Sequence, residues 1–187
     1  MTSPAVEVVH IGSAARDIAP DDPRGWRLGG GVTYAALTTA RLGLRTAAVV
    51  GVDREASTAE ELDAMRDAGV DILKVDLPEG PIFHNIETPT GRRQVSMAAG
   101  VPVEPVPLPS SWMESRSWSL VPVANEVPDS WVDVIPGHAT VGVAWQGMLR
   151  EMVPGGDVQR GHRRLRPAPR RGADVRPAPD HRRATGQ

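Results

Sequence analysis

The chain has 187 residues, a formal net charge of −2 and no cysteine. That length suits one domain with a real core, and the lack of cysteine excludes a disulfide frame, a thiolate nucleophile and a cysteine zinc site. The N-terminus shows no basic region leading into an apolar run, and no apolar stretch reaches about 18 residues, so the chain reads as a soluble cytoplasmic protein that neither crosses a membrane nor is secreted.

The charge is unevenly placed. Residues 1–157 hold 12 basic and 21 acidic side chains, whereas 158–187 hold nine arginines and two aspartates. A switch that abrupt marks a boundary near Asp157. The 158–187 segment has four prolines and no aromatic residue, too little for a core, and is expected to be a disordered Arg/Pro-rich tail.

In chain order, Val6–Ile11 is a continuous apolar run, the pattern of a parallel strand buried on both faces, and it ends at Gly12-Ser13. Asp17 follows, ahead of a Pro- and Asp-rich stretch from Pro20 to Pro23. Next come Gly29, Gly30 and Gly31, then an Ala-rich helix with Val32, Ala35, Ala36, Thr39, Ala40 and Gly43 on one face. Glycines there allow either a close approach to a ligand or simply a tight turn before a helix. Gly43 is placed to end the helix, and Thr46–Gly51 is the second strand.

Ser57-Thr58-Ala59-Glu60 has the form of a capping box for a helix burying Leu62 and Met65 and ending at Gly69. Leu73, Val75 and Leu77 then alternate as a third strand. Ile82–Thr88 and Arg93–Ala99 flank Thr88-Pro89-Thr90-Gly91 and predict an inserted β-hairpin over about 80–100, with Arg92 and Arg93 as solvated strand residues. After a proline-rich connector, Trp118–Ala124 predicts a strand, Pro128–Val134 a helix and Thr140–Ala144 a last strand, with Trp145-Gln146-Gly147 at its end. His10 is expected to be an interior or edge residue; His84 and His138 lie apart, without metal-ligand spacing. The five tryptophans are scattered as packing anchors.

Strand–helix alternation with one inserted hairpin implies an α/β layered fold on a largely parallel sheet. Ligands on such sheets bind beyond the carboxyl ends of the strands. Asp17, the glycine turn, Asn125-Glu126 and Trp145-Gln146 all follow strands and converge there.

Several phrases resemble one family. Gly29-Gly30 with Ala40-Arg41-Leu42-Gly43, then Gly51 with Asp53, and Ala68-Gly69-Val70-Asp71, are similar to the ribokinase-like, or PfkB, carbohydrate kinases, over about Val6–Val158. Tyr34 stands where that family usually has an asparagine, and Ala56 where it often has a glycine. The resemblance implies a Rossmann-type ribokinase-like fold, a hairpin lid that covers the sugar and often forms a homodimer contact, and a parent reaction of ATP-dependent phosphorylation of a sugar or nucleoside hydroxyl with Mg²⁺. It implies substrate contacts at Asp17, the turn Gly29–Gly31, Tyr34 and Glu126. The residues themselves leave two of these open: Asp17 also suits a loop or capping role, and Glu126 also suits the first turn of the following helix. ATP and Mg²⁺ follow from the resemblance alone, with no residue assigned to either.

The family's Gly-Ala-Gly-Asp phrase, whose aspartate is the base and whose amides hold the transferring phosphate, occurs nowhere; Gly172-Ala173-Asp174 lacks the second glycine. Fixed dipoles and positioning supply most of such catalysis. The chain therefore reads as the substrate-binding half of a carbohydrate kinase, inactive alone, with a fold incomplete at its C-terminus and a tail from truncation or a frameshift in GC-rich DNA. The rival readings are a non-catalytic sugar-binding or dimerisation module and, with the weaker case, nucleic-acid binding through the arginine-rich tail, which has no aromatic residue or recognisable motif.

Overall fold

The computed structural model describes residues 5–161. Its central strand, β1 (Val8–Ser13), is buried at every position. Burial on both faces is what its unbroken apolar run requires. On one side β1 pairs in parallel with β4 (Thr46–Val52), on the other with β8 (Ser117–Leu120). Two flanking strands, β5 (Asp71–Asp76) and β9 (Thr140–Val143), complete a five-stranded all-parallel sheet of order β5-β4-β1-β8-β9. The α/β layering on a largely parallel sheet expected from the sequence is thus observed.

Alternate residues divide the core. His10, Ala48 and Val50 face α1 (Gly31–Arg41) and α2 (Glu60–Asp67), where Val32, Ala36, Leu62 and Met65 are buried. Val9, Ile11, Ala47 and Val49 face Trp112, Trp118 and Trp131 on the other side. Each of these three tryptophans also donates its indole N–H: to Asp71, to the Ser115 carbonyl and to the Val103 carbonyl at 2.9, 3.1 and 2.7 Å. Aromatic bulk is buried here without leaving a polar atom unsatisfied.

Gly43, at φ 86°, ends α1 as expected: its N–H bonds the Ala40 carbonyl, and that of Leu44 the Thr39 carbonyl. The capping box does not form. The Asp53 carboxylate takes the Ala56 N–H and starts a short 3₁₀ turn over Ala56–Thr58, so the Ser57 hydroxyl turns back to the Arg54 carbonyl and α2 begins after Ala59 without a side-chain cap. The helix predicted from Pro128 shrinks to the single turn α3 (Trp131–Val134).

The larger difference lies in the insertion. The Pro- and Asp-rich stretch is the loop of an antiparallel hairpin made by β2 (Ala15–Ile18) and β3 (Trp26–Gly29). β2 runs parallel to β6 (Ile82–Thr88), which pairs with β7 (Gly91–Ala98). After the short helix α4 (Trp145–Met148) and β10 (Arg150–Glu151), the strand β11 (Gly156–Asp157) joins β7, and β12 (Gln159–Arg160) pairs with β10. The expected two-stranded hairpin therefore supplies two strands of a five-stranded sheet of order β11-β7-β6-β2-β3. Arg16 on β2 ties this sheet to the body through the buried Asp53, at 2.9–3.0 Å.

The boundary at Asp157 falls inside this structure, because Val158 donates to the Gln94 carbonyl and Gly161 to that of Leu149. Residues 162–187, the bulk of the arginine-rich segment, lie outside the described residues. Among the described residues no helix is long and apolar enough to cross a membrane.

His10 links the sheet to α1. Its ring nitrogens meet the hydroxyls of Ser119 and Thr39, and Thr39 in turn meets Thr46 at 3.0 Å. Burial lowers its pKa to about 4. The folded chain therefore keeps His10 neutral, while the unfolded chain protonates near pH 6.5. This contribution is full above that value and drains away as pH falls toward 4, by about 3 kcal/mol. Urea unfolding of the native chain should lose that much more stability between pH 7 and 4 than His10→Gln does; parallel curves would contradict the assignment.

Candidate functional site

Between the carboxyl ends of the parallel strands and the second sheet lies a cavity of about 410 Å³. Its floor is Gly30 and Gly31 at the start of α1, with Val123 beyond the end of β8. Its roof is the β2-β6-β7 face, carrying Asp17, Asn85 and Gln94.

The glycines are needed for chain packing as much as for a ligand. A Cβ on Gly30, at φ 108°, would lie 2.5 Å from the Ser13 carbonyl oxygen and 2.9 Å from the Ala15 nitrogen. One on Gly31 would meet the Val121 carbonyl at 2.7 Å, and one on Gly29 the Asp17 carboxylate at 2.3 Å. Gly29 thus lies beneath Asp17 rather than on the cavity wall. The Thr33 hydroxyl fastens the turn by donating to the carbonyls of Gly29 and Gly30 at 3.0 and 2.7 Å.

Asp17 belongs to β2, not to a loop after β1 as the sequence suggested. Two residues beyond its β6 partner Phe83 comes Asn85, whose β7 partner is Gln94. All three side chains share a face. Gln94 donates to Asn85 at 2.6 Å, and Asn85 donates to Asp17 at 3.0 Å. One oxygen of Asp17 is held in this row. Burial pushes its carboxyl above the ordinary value, opposed by the Asn85 hydrogen bond and by the charges of Arg92 and Arg150.

Arg92 and Arg150 border the same cavity. Arg150 donates to the Val123 carbonyl at 3.1 Å and lies over the Phe83 ring, 5.6 Å from its centroid. Burial, with Arg92 nearby, lowers its pKa, while Asp17 and Glu126 act in the opposite sense. Arg92 is an exposed strand residue, as read from the sequence, and also borders the cavity; its neighbour Arg93 pairs with Asp157 at 2.7 Å.

Tyr34 and Gln146 also line the cavity, Tyr34 largely exposed at 63%. Glu126 does not line it. It is 2% exposed and its carboxylate accepts from the backbone N–H groups of Ser13, Val123 and Ala124 at 2.7–3.2 Å. Glu126 joins the end of β1 to the loop after β8. Burial pushes its carboxyl up, against the pull of these amides. No group of three or more His, Cys, Asp or Glu that could hold a metal stands together among the described residues. They offer no fitted ligand set for Mg²⁺.

Asn85, Gln94 and Arg150 escaped the sequence reading. A signal existed for the first two: both are polar residues inside hairpin strands and stand opposite each other in register.

No protein-family model matches the chain, and no curated protein matches it significantly. Solved structures do. A pyrophosphate-dependent kinase in the ribokinase family, complexed with a pyrophosphate analog and myo-inositol, is 21% identical over 82% of this chain and 54% of its own, with a TM-score of 0.63. A nucleoside kinase of Methanocaldococcus jannaschii, an archaeal member of the ribokinase family, is 12% identical over 79% and 55%, at 0.57. Ribokinase from Cryptococcus neoformans, in complex with ADP, is 18% identical over 75% and 50%, at 0.53. The fold is therefore ribokinase-like. The chain spans about half the length of the solved structures it matches.

Proposed function

We propose that the cavity beneath the second sheet binds the hydroxyl groups of a sugar or nucleoside, as the substrate-binding half of a carbohydrate kinase. The observation that carries this reading is the row Asp17–Asn85–Gln94, spread over β2, β6 and β7 and facing the glycine start of α1. A carboxylate accepts from vicinal hydroxyls, and the amides supply both donors and acceptors. The second sheet acts as a lid. A lid matters because water competes with an acceptor hydroxyl in phosphoryl transfer.

The parent reaction is transfer of a phosphoryl group to that hydroxyl, with the donor nucleotide and Mg²⁺ lying outside the groups described. Because the Gly-Ala-Gly-Asp phrase is absent from the 187 residues, this chain is expected to bind without turning over. The outer strands β3 and β11 leave the lid's two edges for a second copy, the proposed homodimer contact.

Titration calorimetry of the full chain against a panel of hexoses, pentoses, inositols and nucleosides tests the binding claim. Asp17→Ala removes one or two charge-assisted hydrogen bonds and should weaken the best ligand by about tenfold or more. Unchanged affinity would remove Asp17 from the site.

A further inference from the structure

The β2–β3 hairpin carries different chemistry on its two faces. In register, Arg16 lies opposite Leu28 and Ile18 opposite Trp26, so these four share one face while Asp17 stands on the other, toward the cavity. The first face is fastened to the body. Leu28 is buried with Leu62 and Met65 of α2, and Trp26 packs against the same cluster. Arg16 reaches Asp53, and its guanidinium lies 5.8 Å from the Trp26 ring centroid.

The loop of the hairpin is fastened as well, by Arg24. Its guanidinium forks onto Glu61 of α2 with two bonds of 2.8 Å, and two more, of 3.0 and 3.2 Å, go to Asp22. It also lies over Trp26, 4.6 Å from the ring centroid. The same Glu61 carboxylate accepts the Leu28 N–H at 3.1 Å, so one side chain of α2 holds both the loop and β3. Hydrogen bonds from Arg24 hold the Glu61 and Asp22 carboxyls down at about 2, and the cluster stays charged at ordinary pH. Isolated surface ion pairs contribute little, whereas a bidentate pair inside a network fixes geometry.

α2 shares its core with α1 through Val32, Ala36, Leu62 and Met65, and α1 begins at the glycines of the cavity floor. Gly29, at the end of β3, passes directly beneath the Asp17 carboxylate. The carboxylate in the roof and the glycines in the floor are thus both referenced to one helical layer. Arg24 and Glu61 do not line the cavity themselves.

Resting on the sugar-site reading above, we infer that Arg24 and Glu61 are positioning residues, which touch no ligand and set its affinity by holding the Asp17 strand in place above Gly30 and Gly31.

Calorimetry on the full chain, with glucose, ribose, myo-inositol and adenosine as probes, tests it. Arg24→Gln and Glu61→Gln should each weaken the tightest probe by about threefold or more, and the double variant should lose no more than the larger single loss. Arg66→Gln removes the Arg66–Asp63 pair on the same helix without touching the hairpin, and should leave the affinity unchanged. Arg24→Lys keeps the charge over Trp26 but not the fork, and should show a smaller loss in the least disturbed fold. Adding Arg24→Gln to Asp17→Ala should cost no further affinity, because the carboxylate it positions is gone; nuclear magnetic resonance shifts of the Gly30 and Gly31 amides follow such weak binding. A purely stabilising role would lower the melting temperature and leave the affinity of the folded chain alone. Full affinity in Arg24→Gln and Glu61→Gln would therefore overturn the inference and leave the sugar site standing. The same fold-loss from Arg24→Gln with and without Asp17 would also overturn it. If the native chain binds none of the four probes, the sugar-site reading falls and the inference with it.

Discussion

Glu126→Ala is expected to destabilise the chain by about 3–5 kcal/mol. The carboxylate is 2% exposed and collects the N–H groups of Ser13, Val123 and Ala124. Removing it leaves three buried donors unsatisfied, at about 1–3 kcal/mol each before water or local movement recovers part of the loss. Domain stability is typically only about 5–15 kcal/mol, so the variant should lose a large share of it. Thermal unfolding followed by circular dichroism should show a melting temperature lower by about 10 °C. A fall of only a degree or two would mean that the three amides find water readily. Glu126→Gln is the informative companion: its NH₂ group adds a donor beside donors, so it should recover only part of the loss.

Gly30→Ala is the second large effect, for a different reason. The residue sits at φ 108°, and its Cβ would come within 2.5 Å of the Ser13 carbonyl and 2.9 Å of the Ala15 nitrogen. Both are backbone atoms and cannot rotate away. Backbone strain of about 1–3 kcal/mol adds to overpacking of about 1–3 kcal/mol. The turn would also move away from Asp17, so ligand affinity should fall together with stability. Gly43→Ala is the control: φ is positive there too, at 86°, but nothing lies within 4 Å of the added Cβ. It should show the strain alone, about 1–3 kcal/mol. Equal losses for the two variants would mean that the contacts around Gly30 are unimportant.

The parallel sheet was legible because its strands are short apolar runs bounded by Gly and Asp signals, and β1 and β4 are buried at every residue. The end of α1 was legible because Gly43 is required by its positive φ. The lid was only half legible. β2 and β3 are four residues each, with charged and apolar residues mixed, and Pro20, Asp21, Asp22 and Pro23 between them look like an ordinary loop. Their pairing with β6 is a long-range fact that no local pattern encodes.

The same gap explains the site. Asp17, Gly30, Gly31, Tyr34 and Gln146 all border the cavity. Asn85, Gln94 and Arg92 reach it only because the hairpin folds over as part of a sheet, and Arg150 because the chain returns beside β7 through β11. Glu126 follows β8 near the strand ends, but it is buried on three amide partners and does not line the cavity.

The central claim is that the cavity between the strand ends and the lid is where a polyol binds. Nuclear magnetic resonance of the ¹⁵N-labelled full chain, titrated with the best ligand from calorimetry, addresses it directly. The side-chain amide signals of Asn85 and Gln94, together with the backbone amides of Gly30 and Gly31, should shift progressively and saturate at the calorimetric affinity. The amides around Val132–Val141, beside the edge strand β9 on another part of the surface, should not move. Saturable shifts confined to that second region, with Asn85 and Gln94 unmoved, would contradict the account.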